Sequence, residues 1–172
     1  MRAVCIAAVA LAVTAPASAQ TGPMASALKA QYELVKNNIT KSAEKVPEDL
    51  YGFQATPKVR TFGQIIGHIA DANQNICAAA TSGTPAKESA EKTKTSKADL
   101  QKALADGFAA CDAAFASMTD AKAAEMTKFF GGDQPRLAVL SFNTAHDFEH
   151  YGNLVTYMRL KDIVPPSSEG QR

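Results

Sequence analysis

Apolar residues spaced three and four apart predict the first helix of the chain, over roughly residues 24–44. This spacing is that of one face of an amphipathic helix, and the face consists of Leu28, Tyr32, Val35, Ile39 and Ala43. Pro47 ends the helix, because proline has no amide hydrogen to donate. Residues 48–60 have no period and predict a loop. Its aromatic segment Tyr51-Gly52-Phe53 covers one end of the helices, either as a structural lid or as a wall of a substrate pocket.

The second predicted helix begins at Thr61, because Thr61-Phe62-Gly63-Gln64 has the form of a capping box. It continues to about Ala80 with a broad, mostly apolar face made of Phe62, Ile65, Ile66, Ile69, Ala72, Asn73, Ile76 and Ala80. His68 borders this face and can point inward. A buried polar group without a partner costs about 1 to 3 kcal/mol. His68 therefore needs a partner, which is either a hydrogen-bonding group of the core or a metal ion.

Residues 81–95 are rich in Ser, Thr and Lys and predict a long solvated loop. Antiparallel neighbours in a helix bundle are usually joined by about two to eight residues. The longer loop here allows the second and third helices to run parallel. Ser96 and Asp99 predict the start of the third helix, whose core stripe is Leu100, Leu104, Phe108, Cys111, Phe115 and Met118.

Residues 119–132 join the last two helices, with a helical turn expected over 121–128 and a break at Gly131-Gly132. Asp133-Gln134-Pro135 predicts the start of the fourth helix, and Val164-Pro165-Pro166 its end. This helix carries a core stripe of Leu137, Leu140, Thr144, Tyr151, Leu154 and Met158, and beside it a polar stripe of Asn143, His146, His150, Asn153 and Tyr157. The polar stripe contains no lysine, arginine or carboxylate, which favours a cavity lining over a solvent-exposed face.

Two of the three histidines in the chain, His146 and His150, stand four residues apart. On a helix they project from one face and can reach a single metal ion. With His68 they offer three neutral nitrogen donors and leave a coordination position open, the arrangement of a reactive metal site. A chance pair and a hydrogen-bonded core histidine are the alternatives. The same residues spell H-x-x-E-H, a protease motif, but no second helix offers an obvious partner carboxylate.

The segments VRTFGQIIGHIADANQNICAAA and HDFEHYGNLVTYMRLKDIVPPSS resemble the DinB/YfiT-like superfamily, in particular its exported members in Gram-negative bacteria. The resemblance spans about residues 24–166. It implies an all-α four-helix bundle of up-down-down-up topology, with a long crossover between the second and third helices. It also implies a divalent metal ion on His68, His146 and His150. Some members of the superfamily are thiol-dependent transferases or isomerases.

Asn143 and Glu149 are candidates for groups beside the metal ligands or for acid and base roles. Glu149 lies about 60° to 100° off the face of the two histidines, so we expect it to be exposed. No catalytic residue can be assigned from the sequence.

Three nitrogen ligands favour zinc, with nickel, iron or manganese as alternatives. The resemblance implies a metal-dependent enzyme of the thiol-transferase or isomerase type, acting on a small molecule, with a low-molecular-weight thiol as a candidate cofactor. Such thiols are chiefly cytoplasmic. For an exported protein, a metal-dependent hydrolase and a non-catalytic metal- or ligand-binding envelope protein are therefore the alternatives. A homodimer is also considered.

Residues 1–19 predict a secretory signal peptide: Arg2 precedes an apolar run over 3–15, and Ala17-Ser18-Ala19 forms an A-x-A cleavage pattern. The run is too short to span a bilayer. We expect cleavage after Ala19 and a periplasmic or secreted protein.

The remaining chain predicts one bundle domain over residues 20–166 and a disordered tail over 167–172. The 18 basic and 17 acidic residues of the full chain nearly balance and form no dense basic patch, which argues against nucleic acid as a partner. There is no second hydrophobic run of membrane-spanning length, so no membrane span is expected.

Cleavage would leave two cysteines, Cys77 and Cys111. If the second and third helices are parallel and begin at Thr61 and Ser96, the two cysteines lie at nearly the same height. Antiparallel helices would instead separate them by roughly 15 Å or more. We therefore predict a disulfide, which an oxidising compartment permits. Two separately buried thiols are the alternative.

Overall fold

The computed structural model of the protein describes residues 22–81 and 89–170. These residues are mostly helical, as predicted. The long helices are α1 (Pro23–Lys45), α2 (Phe62–Thr81), α4 (Lys97–Ala116) and α6 (Arg136–Arg159); the short ones are α3 (Ala90–Thr93) and α5 (Asp120–Ala124). A hairpin of β1 (Met126–Phe129) and β2 (Gly132–Pro135) precedes α6, and 3-10 turns span Glu48–Leu50 and Pro166–Ser168. The predicted signal peptide lies outside the described residues.

Helices α2 and α4 run in the same direction. Ala70 packs on Gly107 near the middle of both helices, and Cys77 is joined to Cys111 nearer their C-terminal ends. A side chain at Gly107 would place its Cβ 2.7 Å from the carbonyl oxygen of Ala70, so glycine is required for this close approach. The predicted disulfide is present, with 5.1 Å between the two Cα atoms.

Helix α6 runs antiparallel to α2. At the start of α6, Arg136 donates from Nη1 to the carbonyl of Ala80 at the end of α2 (2.7 Å). At the other end, Tyr157 donates from its hydroxyl to the carbonyl of Arg60, just before α2 (2.6 Å). This direction brings the middle of α6 beside the first half of α2.

Helix α1 runs antiparallel to α4. The hydroxyl of Tyr32 donates to the carbonyl of Phe108, and Gln101 donates from Nε2 to the carbonyl of Ala43. The core lies between the four long helices, and its largest fully buried side chains are Tyr32, Phe62, Phe115, Ile39, Ile66, Ile69, Leu100, Met118, Leu140, Leu154, Met158 and Val35. Burial of one such side chain contributes about 1.5 to 3 kcal/mol.

The connection between α4 and α6 differs from its prediction. The helical turn is shorter than expected, and residues 126–135 form the hairpin, in which Met126 pairs with Pro135. Its turn residues Phe130 and Gly131 both have positive φ (47° and 80°), the conformation that a two-residue hairpin turn requires. Because Asp133 belongs to β2, helix α6 begins three residues later than predicted, at Arg136.

Residues 89–93 are not the solvated loop that was predicted. They include α3, whose start is tied to α2 by one carboxylate. Asp71 accepts hydrogen bonds from Ser89 Oγ (2.6 Å), Ala90 N (2.7 Å) and Glu91 N (3.1 Å). The crossover therefore returns along α2 before α4 begins.

Residues 167–170, which were predicted to belong to a disordered tail, contact the helices. Tyr151 donates from its hydroxyl to Ser167 Oγ (2.8 Å), and Lys45 forms an ion pair with Glu169 (2.7 Å). Residues 171–172 lie outside the described chain. None of the described helices combines the length and apolarity needed to cross a membrane.

We predict that the disulfide is a major contributor to stability. It closes a loop with a sequence separation of 34 residues, for which restriction of the unfolded chain corresponds to about 3 to 4 kcal/mol. Replacing both cysteines (Cys77→Ala with Cys111→Ala) should lower the free energy of unfolding in urea by that amount. A reductant should destabilise the wild type equally and leave the double variant unchanged. Insensitivity of the wild type to reductant would contradict the prediction.

Candidate metal centre

Three imidazole rings meet between α2 and α6. The four-residue spacing places His146 and His150 on one face of α6, and the antiparallel packing of α2 brings His68 opposite them. The Nε2 atom of His146 lies 3.2 Å from Nε2 of His68 and 3.1 Å from Nε2 of His150. The structure thus brings together all three sequence-predicted ligands, within the range of a single ion.

The spacing of these nitrogens fits a metal ion. Tetrahedral zinc holds nitrogen ligands at about 2.0 to 2.1 Å, which places them about 3.3 to 3.4 Å from one another. When Nδ1, the outer nitrogen of each ring, carries the proton, the lone pairs lie on the three clustered Nε2 atoms. Lone pairs repel one another unless a cation lies between them. Three imidazoles are also a donor set that suits zinc, iron and nickel.

The rings are held in the neutral form that a metal requires. Burial, together with the nearby His146 and His68, lowers the pKa of His150 to about 4. Burial and the neighbouring His68 also lower the pKa of His146, which the charge of Glu149 offsets only in part. At neutral pH both rings of the α6 pair therefore have nitrogen lone pairs available.

The outer nitrogen of His68 faces a carboxylate supplied by α3. Nδ1 of His68 lies 3.0 Å from Oε2 of Glu91, and Arg60 donates from Nε to the other oxygen, Oε1, at 2.8 Å. Burial alone would raise the pKa of Glu91, but the hydrogen bond and charge of Arg60, with those of His68, outweigh it and lower the pKa. Glu91 is therefore ionised at neutral pH.

The Nδ1 atoms of His146 and His150 have different surroundings from that of His68. Nδ1 of His150 lies 3.3 Å from the side-chain amide of Asn153. Nδ1 of His146 is buried and has no hydrogen-bond partner among the described residues. Its ring lies nearly parallel to that of Phe142, with 6.3 Å between centroids. Of the three outer nitrogens, only that of His68 faces a charged group.

Asn143 is not in contact with the histidines. It is fully buried in a network in which it donates from Nδ2 to Oδ1 of Asn73 (2.9 Å) and Oδ2 of Asp147 (3.3 Å). Asn73 in turn donates from Nδ2 to Oδ1 of Asp147 (2.7 Å). Burial raises the pKa of Asp147 to about 7, although the hydrogen bond from Asn73 opposes the shift. The network ties α2 to α6 directly behind the histidines.

Glu149 is exposed, as expected from its position on the helix. The charge of its carboxylate raises the pKa of His146, in opposition to burial and to the charge of His68.

A cavity of about 550 Å³ adjoins the centre. It is lined by Pro57, Lys58, Val59, Arg60, Gln64, Ile65, Glu91, His150, Asn153 and Tyr157. The loop before α2 therefore supplies a pocket wall through residues 57–60. Its aromatic part serves packing, since Tyr51 is buried and Phe53 contacts the ring of Tyr157. The loop thus combines the two predicted alternatives: its aromatic part packs as a structural lid, and residues 57–60 form a pocket wall.

A sequence model of the DinB superfamily matches residues 31–154. The chain belongs to the DinB superfamily. Members of this superfamily are in general metal-binding, and the three-histidine group of this DinB-superfamily chain is compatible with that property.

Two solved structures share the fold. A DinB-like protein from Bacillus cereus is 18% identical with a TM-score of 0.71, covering 82% of this chain and 95% of its own. A DinB-like protein from Bacillus subtilis is also 18% identical, with a TM-score of 0.65 and coverage of 79% and 92%. Among curated proteins, no sequence matches this chain significantly.

The sequence did not indicate Glu91 or Arg60 as parts of the site. Glu91 lies in a charged, lysine-rich segment without a period. The one available signal was Asp71, which stands three residues after His68 on the same side of α2 and holds the start of α3.

We predict that Asp147→Asn changes the pH dependence of stability. The pKa of Asp147 is about 7 in the folded protein and 3.8 for a free carboxyl group, so its protonated form favours the folded state, and this contribution is lost as pH rises through 7. Relative to the wild type, Asp147→Asn should gain stability between pH 4 and pH 8, on the order of 4 kcal/mol. Urea unfolding across this range measures the difference. The exposed Asp106→Asn is the control, and a pH-independent difference for Asp147→Asn would refute the prediction.

Proposed function

We propose that His68, His146 and His150 hold one divalent metal ion and that the adjoining cavity admits a small molecule. The protein would then be a metal-dependent four-helix bundle of up-down-down-up topology. The observation that carries the proposal is the meeting of three Nε2 atoms, with His146 only 3.1 and 3.2 Å from its two neighbours. The lowered pKa values of His146 and His150 support it, since proton competition for those rings is weak at neutral pH.

Zinc is favoured by the all-nitrogen donor set, while nickel, iron and manganese are also compatible with it. When bound, such an ion acts as a Lewis acid and lowers the pKa of a water or thiol that it coordinates.

The surrounding residues would orient the ligand histidines and bind the small molecule. Glu91 and Asn153 hold two of the ligand rings from behind, at His68 and His150 respectively. The cavity wall formed by residues 57–60 and by Tyr157 confines a small molecule beside His150.

We favour an enzyme of the thiol-transferase or isomerase type. Cys77 and Cys111 are joined in a disulfide, so the described residues contain no free protein thiol. A thiol in this chemistry would therefore come from a low-molecular-weight compound bound in the cavity.

A non-catalytic metal- or ligand-binding protein is the second candidate. Glu91 is the only carboxylate among the described residues that line the cavity, and both of its oxygens are engaged, by Arg60 and by His68. No free carboxylate therefore stands in this lining as a general base, which also bears against the hydrolase alternative. Export after cleavage at Ala19 remains part of the proposal, and the disulfide is compatible with it.

We predict that the purified protein carries about one divalent ion per chain and that His146→Ala removes most of it. The chain has only three histidines, so no other imidazole can substitute. The variant should keep its helicity, because apolar burial rather than the ion makes up the core. Metal content and circular dichroism of the wild type, His68→Ala, His146→Ala and His150→Ala are the measurement.

Full metal occupancy in all three variants would show that the histidines are not the site. Loss of helicity together with the metal would indicate a structural ion instead of a reactive one.

A further inference from the structure

The carboxylate behind His68 is brought there by the crossover between α2 and α4. Helix α3 presents Glu91 to α2, with Oε2 3.0 Å from His68 Nδ1 and Oε1 2.8 Å from Arg60 Nε. Both oxygens of Glu91 thus have a partner, and its side chain is about three-quarters buried. A carboxylate held at both oxygens has a fixed orientation towards the ring.

The surface of α2 is shaped to receive this segment. Asp71 binds the first residues of α3 through the amides of Ala90 and Glu91. At Gly67, a Cβ atom would lie 2.7 Å from the Cα of Glu91, so a larger residue would push Glu91 away from the helix. Gly67, His68 and Asp71 lie within about one turn of α2, and together they set where the Glu91 backbone lies.

The contact has a chemical consequence for the ring. A carboxylate accepts hydrogen bonds and does not donate them, so Glu91 selects the His68 tautomer that carries its proton on Nδ1. Arg60 Nη2, which can only donate, lies farther from the same nitrogen, at 3.4 Å against 3.0 Å for the carboxylate oxygen. The Nδ1-protonated tautomer leaves the lone pair on Nε2, the atom that faces His146. Outer carboxylates of this kind orient metal-binding imidazoles and increase their basicity.

We propose that Glu91 is a positioning residue of the metal centre, fixing the tautomer and orientation of His68 and so coupling the crossover segment to metal affinity. This inference rests on the proposed function, in which His68 is a metal ligand. It assigns a role to α3 that the three-histidine site alone does not require.

The first measurement is the affinity of the full protein for Zn²⁺. Glu91→Gln and Glu91→Ala should weaken binding about 10- to 100-fold, the usual effect of removing an outer partner of a ligand. Glu125→Gln is the matched control. Glu125 forms a comparable pair with Arg136, with 3.0 Å between Nε and Oε2, away from the histidines, and its replacement should leave the affinity unchanged.

The second measurement needs no metal. In ¹⁵N-labelled metal-free protein, NMR of the imidazole nitrogens should show His68 with its proton on Nδ1. In Glu91→Ala the ring should shift towards the Nε2-protonated form, whereas Glu125→Gln should match the wild type. A residue that only holds α3 in place would not change this spectrum directly.

A double-variant cycle separates the two roles. If Glu91 acts through His68, Glu91→Ala should cause no further loss of Zn²⁺ affinity in a His68→Ala background. Unchanged affinity and an unchanged tautomer in both Glu91 variants would overturn the inference. If the wild type fails to bind Zn²⁺ at the histidines, the proposed function fails, and the coupling to metal affinity fails with it. If instead the wild type binds Zn²⁺ at the histidines and the Glu91 variants bind it equally well, the proposed function stands and only the inference about Glu91 fails.

Discussion

Close approach of three imidazole nitrogens requires α2 and α6 to hold a fixed register, and the polar network behind the histidines provides it. The amide of Asn73 donates to Asp147 at 2.7 Å, and Asn143 bonds to both. All three side chains are fully buried. An unpaired polar group there would be costly, so a slip of α6 along α2 would break bonds that water cannot replace. Asp147 directly follows His146, so the same bonds fix the position of that histidine.

The disulfide extends this constraint to a third helix. The Sγ atom of Cys111 lies 3.1 Å from Oδ1 of Asn73, and Asn143 donates weakly to it at 3.6 Å. The covalent link between α2 and α4, the amide network and the histidines therefore form one contiguous region. On the opposite side of the histidines, the crossover is tied to α2 by Asp71. Helix α2 is thus held by a different neighbour at each side, which suits a helix that carries one member of the three-histidine group.

Features that depend on local spacing could be predicted from the sequence. Thr61 and Gln64 form the predicted capping box by reciprocal bonds of 2.9 and 3.1 Å, and helical periodicity placed the histidines on inward faces. Features that depend on contacts between distant segments could not. Nothing in the sequence of the crossover indicates that Glu91 would meet a histidine 23 residues earlier in the chain. The hairpin was missed because one of its two positive-φ positions is Phe130, a residue that rarely adopts this conformation.

Anomalous diffraction from crystals of the metal-loaded protein, recorded at the absorption edge of the bound metal, tests the central claim most directly. The account predicts one strong peak per chain, about 2.0 to 2.1 Å from the Nε2 atoms of His68, His146 and His150 for zinc. It also predicts that a further coordination position faces the cavity lined by Arg60 and Tyr157. A peak on surface carboxylates away from the three rings, or a peak that contacts fewer than all three histidines, would contradict the account.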